Sequence, residues 1–219
     1  MARRRKNLDT KEVRPAASNA SAPRFILRLR QAAAIATILV VAASAIRFRA
    51  AQNDLWLDEI WSWNLAHGVS SLGRIFTGIR HDNNHYLNTL YLYLLPNRGN
   101  WWGYRLISIL GGIGSVVVAG FIGLRRSALN GVVLMYLVSL SYFLIVYSSE
   151  ARGYGLMAFF ALLAFLLMDR YLERPDISAA AGFSVSASLG ILAHLTFLPC
   201  YITLLAWHAY RAVRRRGLV

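Results

Sequence analysis

The sequence predicts an all-α polytopic membrane protein, and three observations lead to this class. Of its 219 residues, 57% are hydrophobic and the mean hydropathy is +0.43, which is too apolar for an ordinary soluble domain. Apolar runs of roughly 16–20 residues recur along the chain. The 24 Lys and Arg residues, against 10 Asp and Glu, gather at the ends of these runs and in both tails. That distribution is typical of cytoplasmic flanks of membrane helices rather than of a nucleic-acid-binding surface.

Six apolar segments are predicted to span the membrane. They lie at about residues 28–47, 106–124, 128–147, 154–172, 177–193 and 195–210. Residues 25–210 thus form a predicted transmembrane domain, between a disordered basic tail at 1–24 and a second basic tail at 211–219. A cleaved signal peptide is the alternative for the first segment, and either reading places the residues that follow it outside. The lone Cys200 predicts a small core residue, since one thiol provides neither a disulfide nor a metal framework.

The outer loop at 48–105 contains a further apolar segment, 85–95. Because it is too short to cross a hydrocarbon core of about 30 Å, it is predicted to be an interfacial helix. Asp82, Asn83 or Asn84 is expected to cap it. With this helix at the surface, 17 Lys and Arg lie inside and 7 outside, whereas a spanning segment would put 12 on each side. The positive-inside rule therefore favours six spans with both termini in the cytoplasm.

Two adjacent acids, Asp58 and Glu59, stand in the outer loop within the aromatic stretch LWLDEIWSW. A carboxylate that is partly desolvated beside Trp56 and Trp61 becomes a better proton acceptor. Since neighbouring residues on a helix point about 100° apart, we expect the two acids to have different roles. The alternative is a solvated acidic pair beside tryptophans that lie at the membrane interface for their own reasons.

The stretch HDNNH, which precedes the interfacial helix, carries His81 and His85. Their i, i+4 spacing suits zinc, but no HExxH motif accompanies it, so hydrogen bonding to a polar substrate is the favoured interpretation. Asp58, Glu59 and His85 are compatible with a bound divalent cation and do not require one. No cofactor is therefore assigned from the sequence.

A second outer loop, SSEARGYG, carries Glu150 and Arg152. Arg152 predicts phosphate binding, with Gly153 and Gly155 allowing close backbone approach, and the alternative is a simple Glu150–Arg152 ion pair. Arg105 is a second phosphate candidate, although a side chain reaching the lipid headgroups explains it equally well. In the last outer turn, His194 is predicted to form hydrogen bonds at the interface.

The order of these motifs resembles the N-terminal half of the GT-C membrane glycosyltransferases. The most similar group is the protein mannosyltransferase-like enzymes of glycosyltransferase family 39, with the bacterial aminoarabinose transferases. The motifs are LWLDE, HDNNHYLNTLYLYLLP, WWGYRLISILGG, an RR turn, LSYFLIVYSSEARGYGLMAFFALLAF and LGILAHLTFLP, and they cover residues 28–210. The resemblance implies a GT-C-like fold in the cell membrane. It also implies transfer of a sugar from a polyprenyl-phosphate donor to an acceptor hydroxyl on the outer face, with inversion.

The resemblance also implies roles for individual residues. Asp58 would be the catalytic base and Glu59 would orient the acceptor or donor, while Arg105 and Arg152 would stabilise the departing phosphate. Substrate binding would further involve His81, Asp82, His85, Glu150, Tyr154 and His194, with Trp56 or Trp61 stacking on the sugar or prenyl chain. The expected partners are the lipid-linked donor, membrane lipids and a second chain that supplies further helices, with no nucleic acid.

Two other functions remain open from the sequence. One is a non-catalytic membrane subunit that binds a lipid-linked sugar or a partner chain. The other is a small transporter, which is disfavoured because the predicted spans carry almost no ionisable residues near their centres.

Overall fold

The computed structural model describes residues 21–95 and 101–215, and within these ranges the regular structure is helical throughout. The helices are α1 (Ser21–Ala50), α2 (Leu57–His67), α3 (Leu72–Thr77), α4 (Tyr86–Leu94), α5 (Trp101–Leu124), α6 (Ala128–Leu140), α7 (Tyr142–Ser148), α8 (Tyr154–Glu173), α9 (Ile177–Ala193) and α10 (Phe197–Arg215). The predicted all-α class is confirmed for the described residues.

Three of these helices are long and apolar enough to cross a membrane. They are the Arg30–Ala50 part of α1, the Gly103–Leu124 part of α5, and α8. Helices α6 and α7 form a fourth candidate if their bent pair is one span, and α9, with 17 residues, is a shorter apolar helix. An α-helical membrane protein is therefore supported, while the count of six spans stays a prediction.

The helix ends differ from the predicted boundaries at both tails. Helix α1 begins at Ser21 and α10 continues to Arg215, so both predicted tails include helical residues. The rest of these tails, 1–20 and 216–219, lies outside the described residues. Helix α9 begins where the sequence predicts, and a side chain caps it: Asp176 accepts a hydrogen bond from the backbone N–H of Ala179.

Helix α4 corresponds to the segment 85–95 that the sequence predicts to be an interfacial helix, and its nine residues are too few to cross a membrane. It packs against α2, α3, α5 and α9, and it buries Asn88, Thr89 and Leu92. Its N-cap is His85, with no side-chain cap hydrogen bond, so the prediction that a neighbouring Asp or Asn caps it is wrong. Asn84 instead donates to the backbone oxygen of Ile75 in α3 at 2.9 Å, because the chain bends back toward α3 at that point.

The 62° bend between α6 and α7 is not predicted by the continuous apolar run there. It occurs at Ser141, whose backbone is extended, and it leaves the last carbonyls of α6 without helical N–H partners. Arg47 of α1 is fully buried and donates to the backbone oxygens of Val138 and Ser139 at 3.3 and 3.5 Å. Its Nε also donates to Ser148 Oγ at 3.0 Å. A guanidinium counted from sequence as an outer-loop charge thus stabilises a helix break.

Close helix packing positions the loop between α7 and α8. Helices α5 and α8 touch where glycines face each other: a Cβ on Gly111 would lie 2.9 Å from the backbone of Gly155. A Cβ on Gly155 would lie 2.7 Å from the backbone oxygen of Ser108. The Ser108 hydroxyl, from α5, donates to the backbone oxygen of Arg152 at 2.7 Å. The loop that carries Arg152 is therefore held directly against α5.

Candidate functional site

Polar side chains from four separate parts of the chain meet at one end of the helices. We call the following six residues the polar cluster: Asp58 in the first turn of α2, Asn83 and His85 before α4, Arg152 and Tyr154 at the start of α8, and His194 between α9 and α10. The sequence predicted that these loops share a face, and the contacts below join them. Asn83 is the one member that sequence reasoning treated only as a helix cap.

An ion pair between Asp58 and Arg152 forms the centre of the polar cluster. Nη1 of Arg152 lies 2.8 Å from Oδ2 of Asp58, whose side chain is 41% exposed, while the arginine side chain is only 14% exposed. Asn83 bridges the pair: its Nδ2 is 3.5 Å from Asp58 Oδ1, and its Oδ1 is 3.3 Å from Arg152 Nη2. The guanidinium also lies over the Tyr154 ring, 4.7 Å from its centroid. A carboxylate and an arginine are thus held side by side at an accessible surface.

Stacked rings form the second part of the polar cluster. The His194 ring stacks on His85 at a centroid distance of 4.4 Å and on Tyr154 at 4.1 Å. Burial lowers the pKa of His85 to about 3, with the nearby His194 and Arg152 acting in the same direction and Asp82 opposing them. Burial and Arg152 also lower the pKa of His194. Both imidazoles are therefore neutral at pH 7.

A cavity of about 120 Å³ adjoins these rings. His81, Asp82, Asn84, His85 and His194 supply its polar lining. Within the described part of the chain, the buried atoms Asn84 Oδ1 and His85 Nε2 have no hydrogen-bond partner. Buried polar atoms are normally paired, so this cavity holds unused hydrogen-bonding capacity of the kind that a hydroxyl-bearing ligand satisfies.

Glu59, the second acid of the predicted pair, lies in the protein interior and not in the polar cluster. It is 1% exposed, and its carboxylate forms a two-point contact with Arg105: Nε–Oε1 is 2.7 Å and Nη2–Oε2 is 2.6 Å. The backbone N–H groups of Trp56 and Ala151 donate to the same two oxygens at 2.8 and 2.5 Å. With both oxygens engaged, Glu59 is placed to fix the loops and not to contact a substrate.

Arg105 is fully engaged as well, which contradicts its predicted role as a phosphate ligand. Besides its contacts with Glu59, it donates to the backbone oxygens of Ala51, Asn53 and Asp54 at 2.6–2.9 Å. All five of its N–H groups therefore have acceptors within the protein. Sequence reasoning missed this because it could not see that the chain after α1 wraps around the guanidinium.

Glu150 stands beside the polar cluster without a partner. Among the described residues it forms no hydrogen bond or ion pair through its carboxylate, so the predicted alternative of a Glu150–Arg152 pair is wrong. Burial raises its pKa, and the neighbouring carboxylates Glu59 and Asp58 raise it further, against opposing effects of Arg152 and Arg105. Glu150 therefore holds a proton more readily than an ordinary glutamate.

The remaining predicted residues lie at the rim. The rings of Trp61 and His81 stack at 5.3 Å, and the backbone N–H of Asn83 donates to both His81 Nδ1 and Asp82 Oδ1. Trp56 and Trp61 are 67% and 45% exposed, which suits contact with lipid chains or a ligand. Sequence reasoning did not single out Asn88, although a polar residue inside an apolar helix is a signal; its side chain donates to the backbone oxygen of Ala151 at 2.7 Å.

Gly153 allows a close approach of backbone within the fold, while its predicted role in phosphate binding stays a prediction. A Cβ there would lie 1.8 Å from the backbone oxygen of Ala193 and 3.0 Å from His85 Cβ. The residue thus lets the Arg152 loop touch the end of α9, which brings His194 to the polar cluster.

Metal ligation was left open by the sequence. Across residues 21–95 and 101–215, no three His, Cys, Asp or Glu side chains are grouped as ligands of one ion. Of the three residues considered, Glu59 has both oxygens engaged by Arg105 and by backbone N–H groups, and Asp58 faces Arg152. In the part of the chain that the structure describes, these side chains do not form a ready-made cation site.

The buried His85 predicts an acid sensitivity. Its pKa is about 3 in the folded protein and about 6.5 in the unfolded chain, so only the unfolded chain gains this proton as the pH falls below 6.5. Its contribution to stability is complete above pH 6.5 and is lost toward pH 3. Between pH 7 and 5 the wild type should therefore lose about 2 kcal/mol more unfolding free energy than His85→Gln. Denaturant unfolding at both pH values measures this difference.

The exposed His67 provides the control, and His67→Gln should follow the wild type. Equal losses in the wild type and His85→Gln would contradict a buried, neutral His85.

No protein-family model, curated protein or solved structure matches this chain. The function must therefore be inferred from the site itself.

Proposed function

We propose that this chain is a membrane glycosyltransferase, or the N-terminal part of one, that transfers a sugar from a polyprenyl-phosphate donor to an acceptor hydroxyl. The observation that carries the proposal is the Asp58–Arg152 pair, with 2.8 Å between its charged groups, at one end of apolar helices. It belongs to the same polar cluster as His85 and His194, which line a polar cavity. A carboxylate suited to act as a base and a guanidinium suited to bind phosphate lie side by side in this pair. In this proposal α9 and α10 also span, giving six crossings with the polar cluster on the outer face and both termini in the cytoplasm.

The proposed reaction needs one base and one anion-stabilising group. The acceptor O–H bond breaks and its proton passes to Asp58, while the acceptor oxygen bonds to the anomeric carbon. The bond from that carbon to the phosphate oxygen breaks on the opposite face, and its electron pair leaves with the lipid phosphate. Arg152 stabilises the charge that develops on that phosphate, since its guanidinium is preorganised by Asn83 and Tyr154.

The neutral part of the site accommodates the sugar in this proposal. His85 and His194 are uncharged at pH 7 because burial lowers the pKa of each, and with Asn84 they present neutral hydrogen-bonding atoms in the cavity lining. Such a surface suits a hydroxyl-rich ring better than an anion. Glu59 and Arg105 support the site from the interior, and the exposed Trp56 and Trp61 face the lipid chain.

A second candidate is a non-catalytic subunit that binds a lipid-linked sugar. The observation that favours it is the same ion pair, because in this state each of the two groups expected to act in transfer neutralises the other.

Turnover separates the two candidates. The purified full chain is incubated with a panel of polyprenyl-phosphate sugars, and release of polyprenyl phosphate and donor-dependent thermal stabilisation are both measured. We expect one donor to be turned over and to stabilise the protein, with polyprenyl phosphate release absent in Arg152→Gln. Stabilisation by a donor without turnover would favour the subunit, and neither effect from any donor would refute both candidates.

A further inference from the structure

Two arginine–carboxylate pairs lie within the same few loops, and their surroundings differ. The Glu59–Arg105 pair is closed: its side chains are 0% and 3% exposed, all five arginine N–H groups have acceptors, and both carboxylate oxygens have additional backbone donors. Nothing can replace either partner without leaving buried groups unpaired. This pair is a fixed part of the fold.

The Asp58–Arg152 pair is open in each of these respects. The Asp58 side chain is 41% exposed, and a single contact of 2.8 Å joins it to Arg152. Nε of Arg152 is buried and has no hydrogen-bond partner among the described residues. The arginine therefore has one N–H group without an acceptor, and Asp58, its carboxylate partner, is the more exposed member of the pair.

We propose that Asp58 occupies the phosphate position on Arg152 in the donor-free protein, and that the phosphate of the donor displaces it. This inference rests on the proposed function and adds to it a step that determines when the base becomes available. Asp58 stays paired with Arg152 until a donor binds. Binding of the donor phosphate to Arg152 then frees Asp58 to act as the base in the same step. A carboxylate that loses a neighbouring cation holds a proton more tightly, which is the property that a base requires.

Both side chains keep other support when they separate, so the exchange does not strand a charge. Asp58 stands in the first turn of α2, where free backbone N–H groups favour a negative charge, and Asn83 remains beside it. Arg152 remains held by Asn83 Oδ1, the Tyr154 hydroxyl and the Tyr154 ring. The closed pair offers no such alternatives.

The exchange also favours product release. After transfer, Asp58 carries the acceptor proton and is neutral, so it does not compete for Arg152. Loss of that proton restores the carboxylate, which again competes with the lipid phosphate for the guanidinium. The cycle thus ends in the ion pair with which it began.

Binding of a prenyl phosphate to charge variants tests the exchange. The probe is farnesyl phosphate, titrated by calorimetry into the purified full chain in detergent, with farnesol and inorganic phosphate as separate arms. Asp58→Asn removes the competing charge, so it should bind farnesyl phosphate on the order of fivefold more tightly than the wild type. Arg152→Gln should lose the part of the affinity that depends on the phosphate, so that it binds farnesyl phosphate about as weakly as farnesol.

Asp54→Asn is the matched control, because Asp54 is an exposed acid four residues away whose side chain makes no contact with Arg152. It should bind like the wild type. If Asp58→Asn does not fold, Asp58→Ser removes the same charge with a smaller side chain. Tighter binding of inorganic phosphate by Asp58→Asn would show that the phosphate alone suffices, and an effect limited to farnesyl phosphate would show that the chain is needed; both outcomes support the exchange.

Two results would overturn the exchange. Unchanged or weaker binding by Asp58→Asn would mean that Asp58 does not compete for the guanidinium, and equal tightening by Asp54→Asn would mean that only the general surface charge matters. The proposed function fails separately, because absence of turnover with every sugar donor would remove the transferase while leaving the measured competition for Arg152 intact.

Discussion

Replacing Glu59 with Gln is expected to lower the free energy of unfolding by about 3–5 kcal/mol, because it leaves the guanidinium of Arg105 buried without a counter-charge. The arginine side chain is 3% exposed and cannot reach water without moving the loops that surround it. Gln retains the shape of the side chain and removes only the charge and one acceptor. Denaturant-induced unfolding of the purified protein measures the loss, and Asp54→Asn, an exposed acid-to-amide change, should alter stability by less than about 0.5 kcal/mol.

A double variant tests whether the unpaired charge is the cause. Adding Arg105→Met to Glu59→Gln should give a total loss smaller than the sum of the two single losses, since the second change removes the charge that the first leaves unpaired. The double variant should regain only part of the lost stability, because the backbone oxygens of Ala51, Asn53 and Asp54 then lose their hydrogen-bond donor. Strictly additive losses would contradict a coupled pair.

Replacing Asp58 with Asn is expected to reduce transfer by about 10²–10⁴-fold, the usual contribution of a general base. Asn fills the same space and keeps the contact to Asn83 possible, but it cannot take the acceptor proton. Because the Asp58–Arg152 pair is partly exposed, the accompanying change in unfolding free energy should stay within about 1 kcal/mol. The initial rate of sugar transfer, measured with the donor that the wild type uses, gives the activity.

The same acid-to-amide change at two adjacent residues, Asp58 and Glu59, should have opposite effects on activity and stability. Asp58→Asn should leave a stable protein that transfers poorly, and Glu59→Gln should leave an unstable protein. An Asp58→Asn enzyme that transfers at the wild-type rate would refute its role as base. Glu150, whose pKa is raised by burial, would then be the next carboxylate to replace.

Much of the helical framework follows from local properties of the chain. Continuous apolar runs predict the positions of α1, α5, α8 and α9 closely, since each such run forms a helix to satisfy its own backbone hydrogen bonds. The short run before Pro96 predicts α4 for the same reason. The sequence also predicts that the loops carrying Asp58, Arg152 and His194 share one face, and Arg152 does lie close to both other residues. The break at Ser141 escapes this reasoning, because the residue that stabilises it, Arg47, lies 94 positions earlier in the chain.

The sequence by itself therefore determined the all-helical class, the apolar helices that could cross a membrane, most helix positions and the set of polar residues from which a site is built. Only the tertiary structure decided how these polar residues pair: Glu59 with the distant Arg105 in the interior, and Asp58 with Arg152 at the surface. The physical reason is that hydrophobicity and helix formation depend on neighbours along the chain. The partner of a charge depends on packing, which brings side chains within 3 Å across the fold and sets how much water reaches them.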